Sequence, residues 1–381
     1  MKISKSTTGD YIICFAVFWY CVVSLFLMIL MGMNLITEEN QTAYRIVMIA
    51  IPLIVAIIIG FYRNPGLFLG AYLIAFVIVG FTFIIFPQNM PFVSKEGFRF
   101  LLPVCISSAL CLMTVRDLNN LYKVLEIVAY IAAFEVFVYL FLFIIGNISL
   151  GGYNMQFSFS CLIPMLVLYE KKKILPVICS FIVFFMVIAI GSRGALLPFL
   201  IFIVYDMFSS SNKWRWVVLL TIIIAIALFP FLVSFLGSIG VTSRTLVLYE
   251  SGELMSDSGR GDLQKNIIQL IKENPLGLGI YSDRVYLDGA YCHNIILELL
   301  LDFGWLFGVF FIIWVLFSLF SIFKKLSGVD RNYFLIMLLI GIVPYMFSGS
   351  YLQAAEPWWI VGISVLYNKR IKQIHCLQHQ S

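Results

Sequence analysis

HNIILELLLDFGWLFGVFFIIWVLFSLFSIFKK, residues 293–325, opens on a histidine, runs through a long apolar stretch and stops at a pair of lysines. Its apolar part exceeds the roughly 20 residues needed to cross a hydrocarbon core of about 30 Å. Asn294, Glu298 and Asp302 interrupt the start of the run at every fourth residue, which puts three polar side chains on one helical face. The stretch therefore predicts a membrane helix, the tenth in chain order, with a polar stripe at one end.

Working outward, the rest of the chain repeats the apolar theme. Of all residues 62% are hydrophobic, 12% are charged and 36 are phenylalanine, with a mean hydropathy of +1.00. Water-soluble domains do not have that composition. Apolar runs place spans at Tyr11–Met31, Arg45–Phe61, Leu67–Phe86, Phe100–Val115, Val124–Ile145, Phe157–Tyr169, Leu175–Ile190, Ala195–Phe208 and Trp216–Leu236 before the tenth, and at Tyr333–Phe347 and Trp358–Tyr367 after it. The first lacks an A-x-A cleavage site and is expected to be a retained helix. Pro87 to Arg99, with two prolines, is expected to be a loop, and the last span is short and leads into a polar tail. The fold class is all-α: a single integral membrane domain, residues 1–381, of about twelve spans.

Charge sets the expected orientation. Sixteen of the 25 Lys and Arg, from Lys2 and Lys5 through Lys171–Lys173 and Lys324–Lys325 to Lys369, Arg370 and Lys372, fall on the side shared by the two termini. Basic residues in short loops stay cytoplasmic, so both termini are expected inside and the large loop, residues 237–292, outside. Within that loop Asp262–Lys272 reads as a short amphipathic helix, closed by Asn274-Pro275 and followed by bends at Gly277 and Gly279. The turn carrying Arg193 falls on the same outer side.

Two outer arginines, Arg193 and Arg260, and a histidine, His293, suit an anionic, lipid-borne ligand. The guanidinium fork matches phosphate geometry, and imidazole exchanges a proton near neutral pH. The alternative for each alone is plain: interfacial arginines snorkel to headgroups, and a histidine at a helix start caps or packs. Asn294, Glu298, Asp302 and Arg284 are the candidate supporting residues. Neither a phosphate-binding G-x-x-x-x-G-K-[ST] loop, an H-E-x-x-H zinc helix nor a G-x-S-x-G elbow occurs, and His293 has no second histidine on its side with which to share a metal. The working expectation is chemistry without a metal or other cofactor. Gly304 and Gly308 form a G-x-x-x-G step, read as close helix packing.

G-S-R-G-A-L-L at Gly191–Leu197, S-G-R at Ser258–Arg260, E-N-P-L-G-L-G at Glu273–Gly279 and H-N-I-I-L-E at His293–Glu298 together resemble the O-antigen polymerase and ligase superfamily. Gly308 falls one residue later than that family's pattern. The resemblance implies a GT-C-type, glycosyltransferase-like membrane enzyme of the inner membrane acting on sugars carried by undecaprenyl diphosphate, with lipid-linked oligosaccharide as donor and acceptor. It also implies membrane lipids, a chain-length regulator and a flippase as partners, and no nucleic acid. By position, Arg193 and Arg260 match the family's phosphate-binding arginines and His293 its candidate catalytic histidine. An O-antigen polymerase is the expected activity. The alternatives are a ligase that moves the polymer to lipid A-core and, ranked third, a lipid-oligosaccharide flippase, which would need more ionisable residues at depth than Glu135.

Overall fold

The structure is a computed structural model that describes residues 5–148, 155–190, 193–209 and 260–378, with residues 216, 219–220, 223 and 231 standing alone. Apart from those isolated positions, the expected ninth span, Trp216–Leu236, and the first part of the large loop lie outside the described residues. Among the described residues every regular element is helical. Seven helices are long and apolar enough to cross a membrane, and three shorter apolar ones accompany them. The chain is an all-helical, polytopic membrane protein.

The elements are α1 (Lys5–Gly32), α2 (Glu38–Arg63), α3 (Pro65–Ile85), α4 (Pro87–Met113), α5 (Leu118–Ile144), α6 (Met155–Glu170), α7 (Ile174–Ile190), α8 (Arg193–Ser209), α9 (Arg260–Glu273), α10 (Ser282–Tyr286), α11 (Ile295–Lys325), α12 (Gly328–Gly341) and α13 (Glu356–Gln378). Two of these, α4 and α13, differ from expectation. Pro87–Arg99 is helical, because Pro87 and Pro91 fall in first-turn positions where a missing N–H breaks no bond. The segment Val93–Ile106 that follows winds as a π-helix with Pro103 inside it. The last helix does not stop near Tyr367 but continues through Lys369, Arg370 and Lys372 to Gln378.

The chain forms two compact units whose boundaries fall within α1, α2 and α5. Unit 1 holds residues 1–17, 50–124 and 257–381. Here α13 lies against the end of α4 so closely that a Cβ on Gly362 would stand 2.6 Å from the Ala109 carbonyl. The apolar stripe of α9, Ile267 and Ile271, packs with Leu278, Cys292 and Leu301 into a small core on the first half of α11. The expected amphipathic helix is thus present, with its apolar face turned to α11. Large side chains remain uncovered on the other faces, including Leu69 and Leu73 of α3 and Phe310, Ile313 and Phe317 of α11. Such surface is stable in hydrocarbon, not in water.

Unit 2 holds residues 18–49 and 125–256. The antiparallel pair α6 and α7 is pinned by a 2.6 Å hydrogen bond from Ser180 Oγ to the Met165 carbonyl. The Tyr169 ring meets Phe181 of α7 and Phe199 and Phe202 of α8 edge-on. Lys172 reaches the buried Asp206 at 2.7 Å, closing the polar end of this bundle.

Candidate active site around His293

The site starts from the cap of α11. Asn294 takes extended backbone angles, and its side-chain oxygen accepts from the N–H groups of Ile296 and Leu297 at 2.9 and 3.2 Å. This satisfies two of the donors that a helix start leaves open. Its amide nitrogen donates in the other direction, to the Met346 carbonyl at 3.2 Å. His293, one residue earlier, has φ +57°, a left-handed conformation that a non-glycine residue adopts only when its surroundings enforce it. The ring is half-buried, shares a 3.3 Å hydrogen bond with Ser348 Oγ through Nδ1, and packs on Tyr291 with 4.2 Å between centroids.

Behind His293 the polar stripe faces inward. Glu298 accepts from Arg284 Nη1 at 2.7 Å, from the Tyr351 N–H at 3.1 Å and from Ser350 Oγ in a short hydrogen bond. Asp302 accepts from the Tyr351 hydroxyl at 2.7 Å and from Ser282 Oγ at 3.2 Å. All three expected stripe residues therefore contact or neighbour one segment, Met346–Tyr351, which joins α12 to α13. Gly349 in its middle has φ +90°, a turn that suits a residue without Cβ.

Arg284, on α10, sits under this network at 1% exposure. Its Nη1 also meets Asp283 at 2.6 Å, its Nη2 donates to Ser350 Oγ at 2.6 Å, and its Nε stands 3.5 Å from Glu96 of α4. Tyr281 and Tyr291 flank the guanidinium at 5.1 and 5.7 Å. Burial alone would weaken this charge, but Asp283 and Glu298 outweigh it and hold the group above its ordinary pKa. Burial, reinforced by Asp302 and Glu298, also pushes the Tyr351 phenol well up, so it stays a donor. Arg284 is a supporting residue in the structural sense: the protein's own carboxylates occupy it, and it does not present its charge to a ligand.

The glycines of E-N-P-L-G-L-G have a partner that sequence spacing did not reveal. Gly277 and Gly279 have φ of +86° and +80°, and the chain they turn lies on α11, with Leu278 N–H and Gly279 N–H donating to the carbonyls of Leu301 and Asp302 at 2.9 and 3.0 Å. Those carbonyls are available because α11 breaks at Gly304, where φ 75° and ψ 158° leave the helix. A Cβ at Gly304 would run into the Pro275 carbonyl and the Gly277 nitrogen. Gly304 is therefore not half of a helix-packing G-x-x-x-G step; it admits the loop. Asn89 of α4 holds the same loop from the far side, donating to the carbonyls of Leu278 and Ile280 at 2.8 and 3.1 Å.

The structure thus joins Arg284, Glu298 and Asp302 in one hydrogen-bonded network and sets His293 and Asn294 against the same Met346–Tyr351 segment, through Ser348 and the Met346 carbonyl. Arg193 is the first residue of α8 and Arg260 the first of α9, but their side chains lie outside the described residues. Ser348, Ser350, Tyr351, Asp283 and Glu96 complete the network without having been singled out from sequence. The F-S-G-S-Y break at Phe347–Tyr351 was the available signal, a polar turn between two apolar runs.

Neither a curated protein nor a solved structure matches the chain. A family model does, over residues 178–313, a stretch that begins in α7 and ends within α11 and so includes Arg193, Arg260, Arg284 and His293. The model is that of the O-antigen ligases, and the likeness over residues 178–313 is consistent with a member of the O-antigen polymerase and ligase superfamily.

Proposed function

We propose that this protein is an O-antigen polymerase, a membrane glycosyltransferase that joins oligosaccharide repeats carried on undecaprenyl diphosphate. The observation that carries the reading is the O-antigen ligase domain containing a strained, hydrogen-bonded histidine at the rim of a buried polar network. In the reaction, an acceptor sugar hydroxyl attacks the anomeric carbon of the donor glycan. The bond to the diphosphate oxygen breaks, undecaprenyl diphosphate leaves with the bonding electrons, and His293 takes the hydroxyl proton. Arg193 and Arg260 would balance the charge that grows on the departing diphosphate. Because the lipid diphosphate is itself the leaving group, this reading needs no nucleotide and no metal. The catalytic face is assigned to the periplasmic side of the inner membrane from the distribution of basic residues.

A second reading, an O-antigen ligase that transfers finished polymer to lipid A-core, is favoured by the matching family model, which is that of the O-antigen ligases. The strongly aromatic chain and the modest outer loop tip the choice to the polymerase. Gel analysis of lipopolysaccharide separates the two. A deletion strain of a polymerase retains one repeat on the core and loses the ladder; that of a ligase loses all attached O-antigen and accumulates lipid-linked polymer. His293→Ala, inserted in the membrane at wild-type level, is expected to reproduce the deletion pattern, and normal ladder length in that strain would sink the catalytic assignment.

A further inference from the structure

A second polar feature of unit 1 takes no part in the His293 network. A cavity of about 280 Å³ opens where α4 gives way to α5, lined by Arg63, Arg116, Asp117, Lys369 and Arg370 with Met113 at its apolar edge. Arg63 is committed to the protein: its Nη1 lies 2.6 Å from Asp10 and 3.1 Å from the Thr114 carbonyl. Asp10, at 1% exposure, is further held by the backbone N–H groups of Arg116 and Asp117 and by Asn120. Lys369 caps the end of α4 through the Met113 carbonyl at 2.8 Å and keeps its charge at the cavity. The guanidiniums of Arg116 and Arg370 are exposed and have neither a hydrogen bond nor an ion pair among the described residues.

Met113 also lines a groove of about 280 Å³ between α3, α4 and α13, whose walls, among them Ala71, Ala75, Leu110 and Val361, are all apolar or aromatic. A cationic cavity and an apolar groove that share one lining residue fit a single amphiphile with an anionic head. We propose that unit 1 binds an anionic phospholipid here. The phosphate sits among Arg116, Lys369 and Arg370, and an acyl chain runs along the groove beside Ala71 and Val361. Two guanidiniums and an ammonium offer diverging donors to phosphate oxygens, and basic pockets between membrane helices take headgroups in this way. A zwitterionic head would bring its own cation into a cavity already rich in them. A free anion would leave the groove without a role.

The test uses the full-length protein in neutral detergent, with the thermal unfolding midpoint followed as phosphatidylglycerol, phosphatidylcholine or inorganic phosphate is added. Phosphatidylglycerol is expected to raise the midpoint saturably while the other two leave it unchanged. Each basic residue beside an anionic headgroup contributes roughly a factor of five, so Arg116→Gln with Arg370→Gln should raise the half-saturating lipid concentration about thirtyfold. Lys324→Gln with Lys325→Gln, which removes the same charge from the end of α11, should leave it unaltered. Val361→Trp, an exposed groove position, should weaken phosphatidylglycerol without creating a response to phosphate. Equal shifts with phosphatidylcholine, full protection by inorganic phosphate, or equal weakening by the Lys324/Lys325 pair would each overturn the proposal.

Discussion

Arg284 and Arg63 are both arginines set against buried carboxylates in the same unit, yet they are built on opposite balances of charge. Around Arg284 the acids are in excess: Asp283 and Glu298 pair with it directly, Glu96 approaches its Nε, and Asp302 stands behind, with Ser282, Ser350 and Tyr351 supplying neutral donors. Around Arg63 the one buried acid, Asp10, is satisfied from four sides, while Arg116, Lys369 and Arg370 outnumber the exposed Asp117 about the cavity. An acid-rich, closed cluster locks backbone segments together; a base-rich, open one presents charge outward. The first kind is suited to holding a neighbouring side chain in place, and the second to receiving a ligand.

The comparison breaks most visibly at Arg284. Arg284→Met removes the cation shared by two fully buried carboxylates, and leaving a buried ion pair half made costs about 3–5 kcal/mol. The expected result is a large drop in the thermal midpoint of the purified protein, or failure to accumulate in the membrane. The companion variant Arg284→Met with Glu298→Gln should recover part of the loss, because it also deletes one orphaned charge. If the double variant is no more stable than the single one, Arg284 and Glu298 are not energetically coupled and the closed-cluster description fails.

How much of this was legible in the sequence follows from the range of the interactions. Apolar runs and caps are local, so α9, the start of α11 at Asn294 and the inward stripe Glu298 and Asp302 could be read directly. Pro87 and Pro91 misled because a proline in a first turn and a proline in a loop look identical until the helix start is located. Gly304 misled for a different reason: its spacing to Gly308 fits helix packing, whereas its partner, the Pro275–Gly277 turn, lies almost thirty residues back along the chain. Ser348, Ser350 and Tyr351 are marked in the sequence only by a polar turn between two apolar runs; the approach of the α12–α13 connection to α11 gives them their partners. Arg193 and Arg260 were singled out by charge and outer-side placement as well as by the family motifs, and their side chains lie outside the described residues.

A smaller effect is expected at Arg63. In Arg63→Met the Asp10 carboxylate keeps the Arg116 and Asp117 N–H groups and the Asn120 amide, at 3.1–3.3 Å, so its charge is not abandoned. Loss of the charge-assisted hydrogen bonds to Asp10 and the Thr114 carbonyl then costs about 2–3 kcal/mol, less than Arg284→Met. Thermal midpoints of the two variants, measured side by side in the same detergent, check the ranking. Equal losses would mean that backbone donors do not replace a guanidinium at this site, and the contrast between closed and open clusters would lose its energetic basis.

The smallest change in stability is expected at Ser348, and it sharpens what the closed cluster is for. Ser348 Oγ is the hydroxyl joined to His293 Nδ1, at the edge of the network rather than in its charged centre. Ser348→Ala removes one neutral hydrogen bond, worth about 1 kcal/mol, so folding should be nearly unaffected. If the network exists to orient His293, the same variant should shorten the polysaccharide ladder while the protein level stays at wild type. Ser348→Thr, which keeps the hydroxyl, should restore it. A shortened ladder in the alanine variant that threonine does not rescue would point to packing rather than to the hydrogen bond. An unchanged ladder in both would separate the network from the histidine altogether, leaving the left-handed backbone at residue 293 and its contact with Tyr291 as what fixes the ring.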